Sequence, residues 1–414
     1  MRKILLKNAA EVVSFNGAAP KKGRDMAKPL VIENGCVLTV GDKIQSVFPA
    51  ENLPDFDLAG TQIVDCAGKT VTAGFVDCHT HFIFGGYREE EFNQRLAGVS
   101  YMEIMRRGGG IVSTVEKTRN ASFDELFAEG EKRLEKYLES GVTTIEGKSG
   151  YGLDIDTELK QLSVMDKLGQ SQPVEIVQTY MGAHATPKEF GTADEYVDFI
   201  IKKALPVIKE KSNVEFCDVF CERNVFDVAQ SVRLLKAAKK LGFKLKMHAE
   251  EIVPLGGSGA ACELGATSVE HLLHIDGQSI EKLAKSGTIG VILPATAFSL
   301  KEKYAPARKM IDAGAAVAVA TDLNPGSCYT QSISLVIALS CMYMGMSVDE
   351  TLCALTLNAA CAIERGDKIG SLEKGKQADI IVHDVPSLKF LSYNFCINHV
   401  VTVIKKGEIV FCKK

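Results

Sequence analysis

The chain has 414 residues, 46% of them hydrophobic and 24% charged, with a formal net charge of −4. That length suits a large barrel with an accessory domain, and the balance is that of an ordinary globular protein. No basic surface is offered to nucleic acid or an anionic membrane, and no apolar run reaches the roughly 18 residues that span a bilayer.

Residues 1–70 read as short strands and turns. "MRKILLKNAAEVV" is broken by Lys7 and reads as a strand rather than a signal peptide. "GCVLTVGDKIQSVF" predicts a hairpin turning at Gly41 and Asp42. From 71 to 366 the character changes. Eight apolar runs appear in order: "TVTAGFVDCHTH", "GVTTIEGKSGYG", "VEIVQTYMGAHA", "VEFCDVFCE", "KLKMHAEE", "TSVEHLLH", "GTIGVILPATA" and "AVAVATDLNPG". Between them lie amphipathic stretches such as "FDELFAEGEKRLEKYLES" and "VAQSVRLLKAAKKLG". Buried strands each followed by helical sequence predict an α/β protein, a (β/α)8 TIM-type barrel, with a doubly wound open sheet as the alternative. Residues 367–414 return to strand character in "ADIIVHDV" and "VVTVIKKGEIVFCKK", the latter with a Lys-Gly turn.

The 12 cysteines form no CxxC pair. They read as buried free thiols in a reducing cytosol, with Cys217 and Cys221 on one strand.

Polar residues fall in a pattern at the strand ends. His79 and His81 end the first strand, Tyr151 follows the second, and His184 ends the third. His248 ends the fifth, His271 the sixth, and Asp322 the eighth. In a barrel these ends converge on one face, where active sites sit. A lone histidine at such a place is usually a satisfied core group. Five of the chain's 8 histidines at the same end of the strands are hard to explain that way. Residues two apart in a strand face the same side, so His79 and His81 can grip one metal ion. His248 is the third candidate ligand and Asp322 the fourth. Three imidazoles and a carboxylate suit zinc or iron(II), which lowers the pKa of a bound water to near neutrality.

Other features carry less. Lys148 reads as a partner of Glu146 or of an anion. "RRGGGI" (Arg106–Ile111) reads as a substrate-side loop rather than a phosphate nest. "GGSGAACELG" only loosely matches a dinucleotide-binding pattern. Cys78 and Met247 are expected to point into packing, and His274, His383 and His399 to be structural or exposed.

"GFVDCHTH" with "MHAEE", "SVEH" and "ATDLNPG" resembles the amidohydrolase superfamily. "FGGYREEEFNQRLAGVSYMEIMRRGGGIVSTVEKTR", "KSGYGLD", "MGAHATP" and "DLNPGSC" are similar to the imidazolonepropionase family of histidine degradation. The resemblance covers essentially the whole chain. It implies a metal-dependent barrel over 71–366, with a β-sandwich built from 1–70 and 367–414. It implies metal ligands at His79, His81, His248 and Asp322. Substrate-binding positions would be Arg88, Tyr151, His184, Glu251, Asn324, Gly326 and Ser327, the last a threonine in some relatives. Binuclear members of the superfamily usually place a carbamylated lysine at the end of the fourth strand. "VEFCDVFCE" has no lysine, so one transition metal per chain, zinc or iron, is expected.

The implied reaction is hydrolysis of the cyclic amide 4-imidazolone-5-propanoate to N-formimidoyl-L-glutamate. Arg88 would offer a planar fork to the propionate, its competing reading being a solvated partner of Glu89–Glu91. Tyr151 and His184 would bond the tail or the ring. Asp322 would take a proton from the attacking hydroxide, His271 would stabilise the oxyanion, and Glu251 would protonate the leaving ring nitrogen. A cytoplasmic homodimer acting on a small molecule is expected, with no nucleic-acid or membrane partner. The rivals are another cyclic-amide hydrolase or heterocycle deaminase on the same barrel, and a catalytically inactive assembly protein. The carboxylate clamp argues against the first, and the complete ligand set against the second.

Overall fold

Alternating apolar residues give the N-terminal region its strands. They are β1 (Lys3–Ser14), β2 (Leu30–Val40), β3 (Lys43–Pro49), β4 (Thr61–Asp65) and β5 (Thr70–Ala73). The structure is a computed structural model that describes residues 1–52, 59–99, 103, 106 and 108–413. β2 and β3 form the expected antiparallel hairpin. β1 is long enough to carry three partners. It pairs antiparallel with β2, parallel with β4 through Lys3–Lys7, and parallel with β5 through Glu11–Val13.

Gly74 separates β5 from the first barrel strand, β6 (Phe75–Asp77). The others follow as β7 (Val142–Lys148), β8 (Glu175–Ala183), β9 (Phe216–Cys221), β10 (Lys244–Ala249), β11 (Ser268–His271), β12 (Ile289–Ile292) and β13 (Val317–Val319). They form an 8-stranded sheet in sequential order, every neighbouring pair parallel. A parallel bridge between Thr80 and Leu323 joins the ends of β6 and β13. Asp322 N–H donates to the His79 carbonyl at 3.1 Å, and His81 N–H to the Leu323 carbonyl at 2.9 Å. That seam closes the sheet, so the open-sheet alternative does not hold.

Parallel strands covered by helices are buried on both faces, which is why they read as apolar runs. The amphipathic stretches between them are helices with built starts. Phe123–Glu139 opens on a capping box between Ser122 and Glu125, and Val228–Lys240 on one between Asp227 and Gln230. No described helix is long and apolar enough to cross a membrane.

The C-terminal strands β14 (Ile380–His383), β15 (Val400–Lys405) and β16 (Glu408–Cys412) complete the small domain. β14 pairs antiparallel with β5, giving the order β16-β15-β14-β5-β1-β2-β3 with β4 branching from β1. The sandwich is therefore one branched sheet in its hydrogen bonding, folded around Ile4, Leu6, Val12, Val37, Val71, Ile380 and Ile404. Lys405 ties it to the barrel, its ammonium 2.6 Å from Glu175 on β8 and 2.8 Å from Asp379. All the cysteines are free, but Cys396 and Cys412 are exposed, against the expectation of burial.

Candidate metal centre and substrate site

The short β6 ends at Asp77, so His79 and His81 lie beyond it, in the seam that closes the barrel. Thr80 between them makes the bridge to Leu323, and strand-like alternation continues through it to put both imidazoles on one side. Their Nε2 atoms meet those of the facing elements. His81 Nε2 is 3.3 Å from His248 Nε2. Asp322 Oδ1 is 3.3 Å from His79 Nε2 and 3.8 Å from His81 Nε2. All four side chains are buried.

Two imidazole nitrogens facing each other can share at most one hydrogen, and two further donor atoms crowd the same point. The field differs from ring to ring. Burial pulls His79 down, but Glu270 and then Asp322 outweigh it and raise its pKa to about 9. His81 and His248 are held well below their ordinary values, first by burial. Buried nitrogens without aligned hydrogen bonds, borderline in character, fit a divalent metal: donor atoms of His79, His81 and His248 lie within 4.8 Å of one another, and so do those of His79, His271 and Asp322. Thr296, on the element after β12, donates to Asp322 Oδ2 at 2.7 Å and fixes that carboxylate. Backbone strain collects here. His271, Asp322 and Glu250 have φ of 75°, 55° and 53°, a left-handed conformation rare outside glycine.

Below the cluster, inside the barrel, lie Glu146, Lys148, Asp218, Lys246 and Glu270, all buried. Lys148 pairs with Glu146 at 3.0 Å as the sequence suggested, and also with Asp218 at 2.7 Å and Glu270 at 2.9 Å. Burial disfavours its charge, but Asp218, Glu146 and Glu270 together hold it well above the usual lysine value. Asp218, Lys246 and Glu270 were missed in the sequence. Their only signal was a charge within a run otherwise apolar. Cys78 and Met247 pack into the core as expected.

The substrate-side residues lie around this centre. His184 stacks on His81 with ring centroids 5.0 Å apart. Its Nδ1–H donates to the Gly150 carbonyl at 3.0 Å, leaving Nε2 free as an acceptor. Burial lowers its pKa to about 4, so the ring is neutral. The Tyr151 ring lies 5.2 Å from His184 and 5.8 Å from His81. Its loop is pinned by Glu158, which accepts from the N–H groups of Gly150, Gly152 and Leu153. Glu251 sits 3.6 Å from His271 Nε2. Burial first, then the negative charges of Asp322 and Glu222, push its carboxyl up to about 8. Glu222 holds the same loop by accepting from Ile252 N–H at 2.8 Å.

Of the two readings of Arg88, the ion pair with the following glutamates is present, at Glu91. Its Nε and Nη2 reach Glu91 at 2.9 and 2.8 Å. Its guanidinium also lies against Gly326, where an added Cβ would sit 2.2 Å from Nη1, so a larger residue there would displace the guanidinium. Arg95, unnoticed in the sequence, donates to the Gly326 carbonyl at 3.0 Å. Asn324 and Ser327, expected as substrate-binding positions, bond to each other and to their own loop. Asn324 Oδ1 accepts from Gly326 N–H at 2.9 Å and Ser327 N–H at 2.7 Å, and its Nδ2 donates to Ser327 Oγ at 2.8 Å. These two side chains shape the loop that receives Arg88. Of the Arg106–Ile111 loop, Arg107 lies outside the described residues. Gly110 N–H donates to Glu91 at 3.1 Å, which puts that loop beside the Arg88 partner. Of the remaining histidines, His383 is buried against the Thr72 hydroxyl, while His274 and His399 are partly exposed.

The sequence pattern of the amidohydrolase family matches residues 70–410. The imidazolonepropionase of Parabacteroides distasonis is 53% identical over 409 residues, which cover 98% of each chain. That of Clostridium tetani is 51% identical over 412 residues, covering 99% of this chain and 98% of its own. Among solved structures, an adenosine deaminase from Xanthomonas campestris with bound zinc superposes with a TM-score of 0.73. The match covers 100% of this chain and 93% of that one at 18% identity, a likeness of fold.

Proposed function

The chain belongs to the imidazolonepropionase branch of the amidohydrolase family, and from that premise we propose that it hydrolyses 4-imidazolone-5-propanoate to N-formimidoyl-L-glutamate. The observation that carries this reading is the convergence of His79, His81, His248 and Asp322 beside an arginine fork. A divalent metal held by those four, zinc or iron and one per chain, would acidify a water and polarise the ring carbonyl. Every other part is played by side chains. Arg88 receives the propionate across the Gly326 backbone. His184, neutral and with Nε2 free, and Tyr151 beside it orient the ring or tail. Asp322, held by Thr296, accepts the proton of the attacking water. His271 faces the carbonyl oxygen as charge develops there. Glu251, protonated near neutral pH, delivers its proton to the leaving ring nitrogen.

A cytoplasmic homodimer is the setting this reading implies. The division into 1–70, 71–366 and 367–414 goes with it. Sheet membership supports that division except at β5, Thr70–Ala73, which belongs to the small sheet. The test is incubation of purified, metal-analysed protein with enzymatically generated imidazolonepropionate, with the product identified by mass spectrometry. The expected product is N-formimidoylglutamate. One metal per chain is expected, lost together with activity in His79→Ala and Asp322→Ala. An active enzyme holding two stoichiometric metals would overturn the mononuclear assignment, and an unconsumed substrate the activity.

A further inference from the structure

The five charged side chains buried beneath the site touch no solvent, and the reaction as described uses none of them. We infer that Glu270 and Asp218 are positioning residues for two of the proposed metal ligands, and that Lys148 fixes both carboxylates at once. The inference rests on the metal reading above.

Glu270 Oε2 lies 2.6 Å from His79 Nδ1, and Asp218 Oδ2 lies 3.0 Å from His248 Nδ1. The opposite ring nitrogens, Nε2 in both cases, are the ones that converge on His81 and Asp322. Neither contact is aligned as a hydrogen bond, but a negative carboxylate this close to Nδ1 draws the ring proton to that nitrogen and leaves the Nε2 lone pair for a ligand bond.

The carboxylates are themselves held. Lys148 reaches the same two oxygens that face the imidazoles, Asp218 Oδ2 at 2.7 Å and Glu270 Oε2 at 2.9 Å. The other oxygens are also taken. Asp218 Oδ1 accepts from Val219 N–H at 2.7 Å and His248 N–H at 3.2 Å. Glu270 Oε1 accepts from Ser268 Oγ at 2.9 Å and Lys246 at 3.2 Å. Neither carboxylate can rotate without losing partners on both sides.

Packing alone does not account for this cluster. Apolar residues of similar volume usually serve stability as well as, or better than, buried ion pairs. Two lysines against three carboxylates leave one negative charge in a region with no solvent exposure. A cation held by the imidazoles above would offset it.

The test measures metal affinity, with zinc and cobalt ions competing against a chelator. Glu270→Gln and Asp218→Asn each remove the charge that faces an imidazole. Glu146→Gln is the control, since Glu146 belongs to the same network but faces no imidazole. Its partners are Lys148, Lys246 and Thr179. We expect a roughly 10–100-fold loss of affinity in the first two, with an altered cobalt d–d spectrum, and a change within about threefold in the control. Unchanged affinity in folded Glu270→Gln and Asp218→Asn would overturn the inference, and so would an equal loss in Glu146→Gln. Should a variant fail to fold, long-range 1H–15N correlation on the unsubstituted zinc-loaded protein decides. Nδ1–H tautomers at His79 and His248 support the assignment, and Nε2–H tautomers defeat it. Failure of the unsubstituted protein to take up metal would instead overturn the metal reading, and this inference with it.

Discussion

Glu91 occupies the fork that the proposed function assigns to the substrate carboxylate. Both Nε and Nη2 of Arg88 bond its Oε2, and the two side chains are 12% and 16% exposed. A substrate carboxylate must displace this internal one. Glu91→Gln keeps the shape and can still accept from Gly110 N–H, but removes the competing charge. A partly screened pair of this kind is worth roughly 1 kcal/mol, which converts to about fivefold in binding. The expected result in steady-state kinetics with imidazolonepropionate is a KM lowered about fivefold at unchanged kcat. Arg88→Met should act in the opposite sense. It leaves a buried substrate carboxylate unpaired at a cost of about 2–5 kcal/mol, so kcat/KM falls by at least about thirtyfold with metal content intact. In Arg88→Met/Glu91→Gln the benefit of the second change should vanish, because the two act through one contact. A KM that stays constant or rises in Glu91→Gln would refute the competition, and normal kinetics in Arg88→Met would reduce Arg88 to a helix-start ion pair.

Glu251→Gln should keep its metal and lose roughly 10²–10⁴-fold in turnover, the usual worth of a positioned acid. Turnover within about threefold of the parent would leave Glu251 a binding residue only. Lys405→Met strands the buried Asp379 carboxylate, whose side chain is 2% exposed, at a cost of about 3–5 kcal/mol. With an unfolding entropy of about 2.1 cal/mol/K per residue over 414 residues, Tm should fall by about 3–6 °C by calorimetry. A drop under about 1 °C would show the junction to be held elsewhere. His383, pushed down to about 3 first by burial and then by His399, is neutral in the fold and gains a proton on unfolding near its ordinary value of 6.5. Its contribution is therefore full above pH 6.5 and lost as pH falls toward 3, at up to about 1.4 kcal/mol per pH unit. Urea midpoints of His383→Gln should fall less steeply between pH 7 and pH 5 than those of the parent, and parallel curves would contradict this.

All eight barrel strands were legible because burial on both faces leaves an apolar run with a sharp polar end. The same contrast made His79, His81, His184, His248, His271 and Asp322 visible, since each interrupts such a run at its C-terminal end. The charges within the runs carried no comparable signal. Lys148 and Glu146 could be paired on spacing alone, but Asp218 and Glu270 come from other strands, and register decides that they face Lys148. Side-chain direction was the other gap. Asn324 and Ser327 sit where substrate contacts were expected, yet they turn their polar atoms on each other. Arg88 had two readings on sequence; the pairing with Glu91, one helical turn away, could be read from spacing, whereas its neighbour Gly326 comes from the far end of the chain.

The seam between β6 and β13 has a consequence for how this enzyme is made. The two closing strands are the barrel's shortest, three residues each. Beyond them the closing hydrogen bonds run through His79, His81, Asp322 and Leu323 themselves. Closure of the sheet and the placing of three of the four proposed ligands thus depend on the same hydrogen bonds. An ion held by the proposed ligands would act as a rivet across this joint. Amide exchange at His81 and Asp322 then becomes a gauge of loading, slow when the ion is in place and fast after chelation, while the protons of β8 and β9 on the far wall keep their protection throughout.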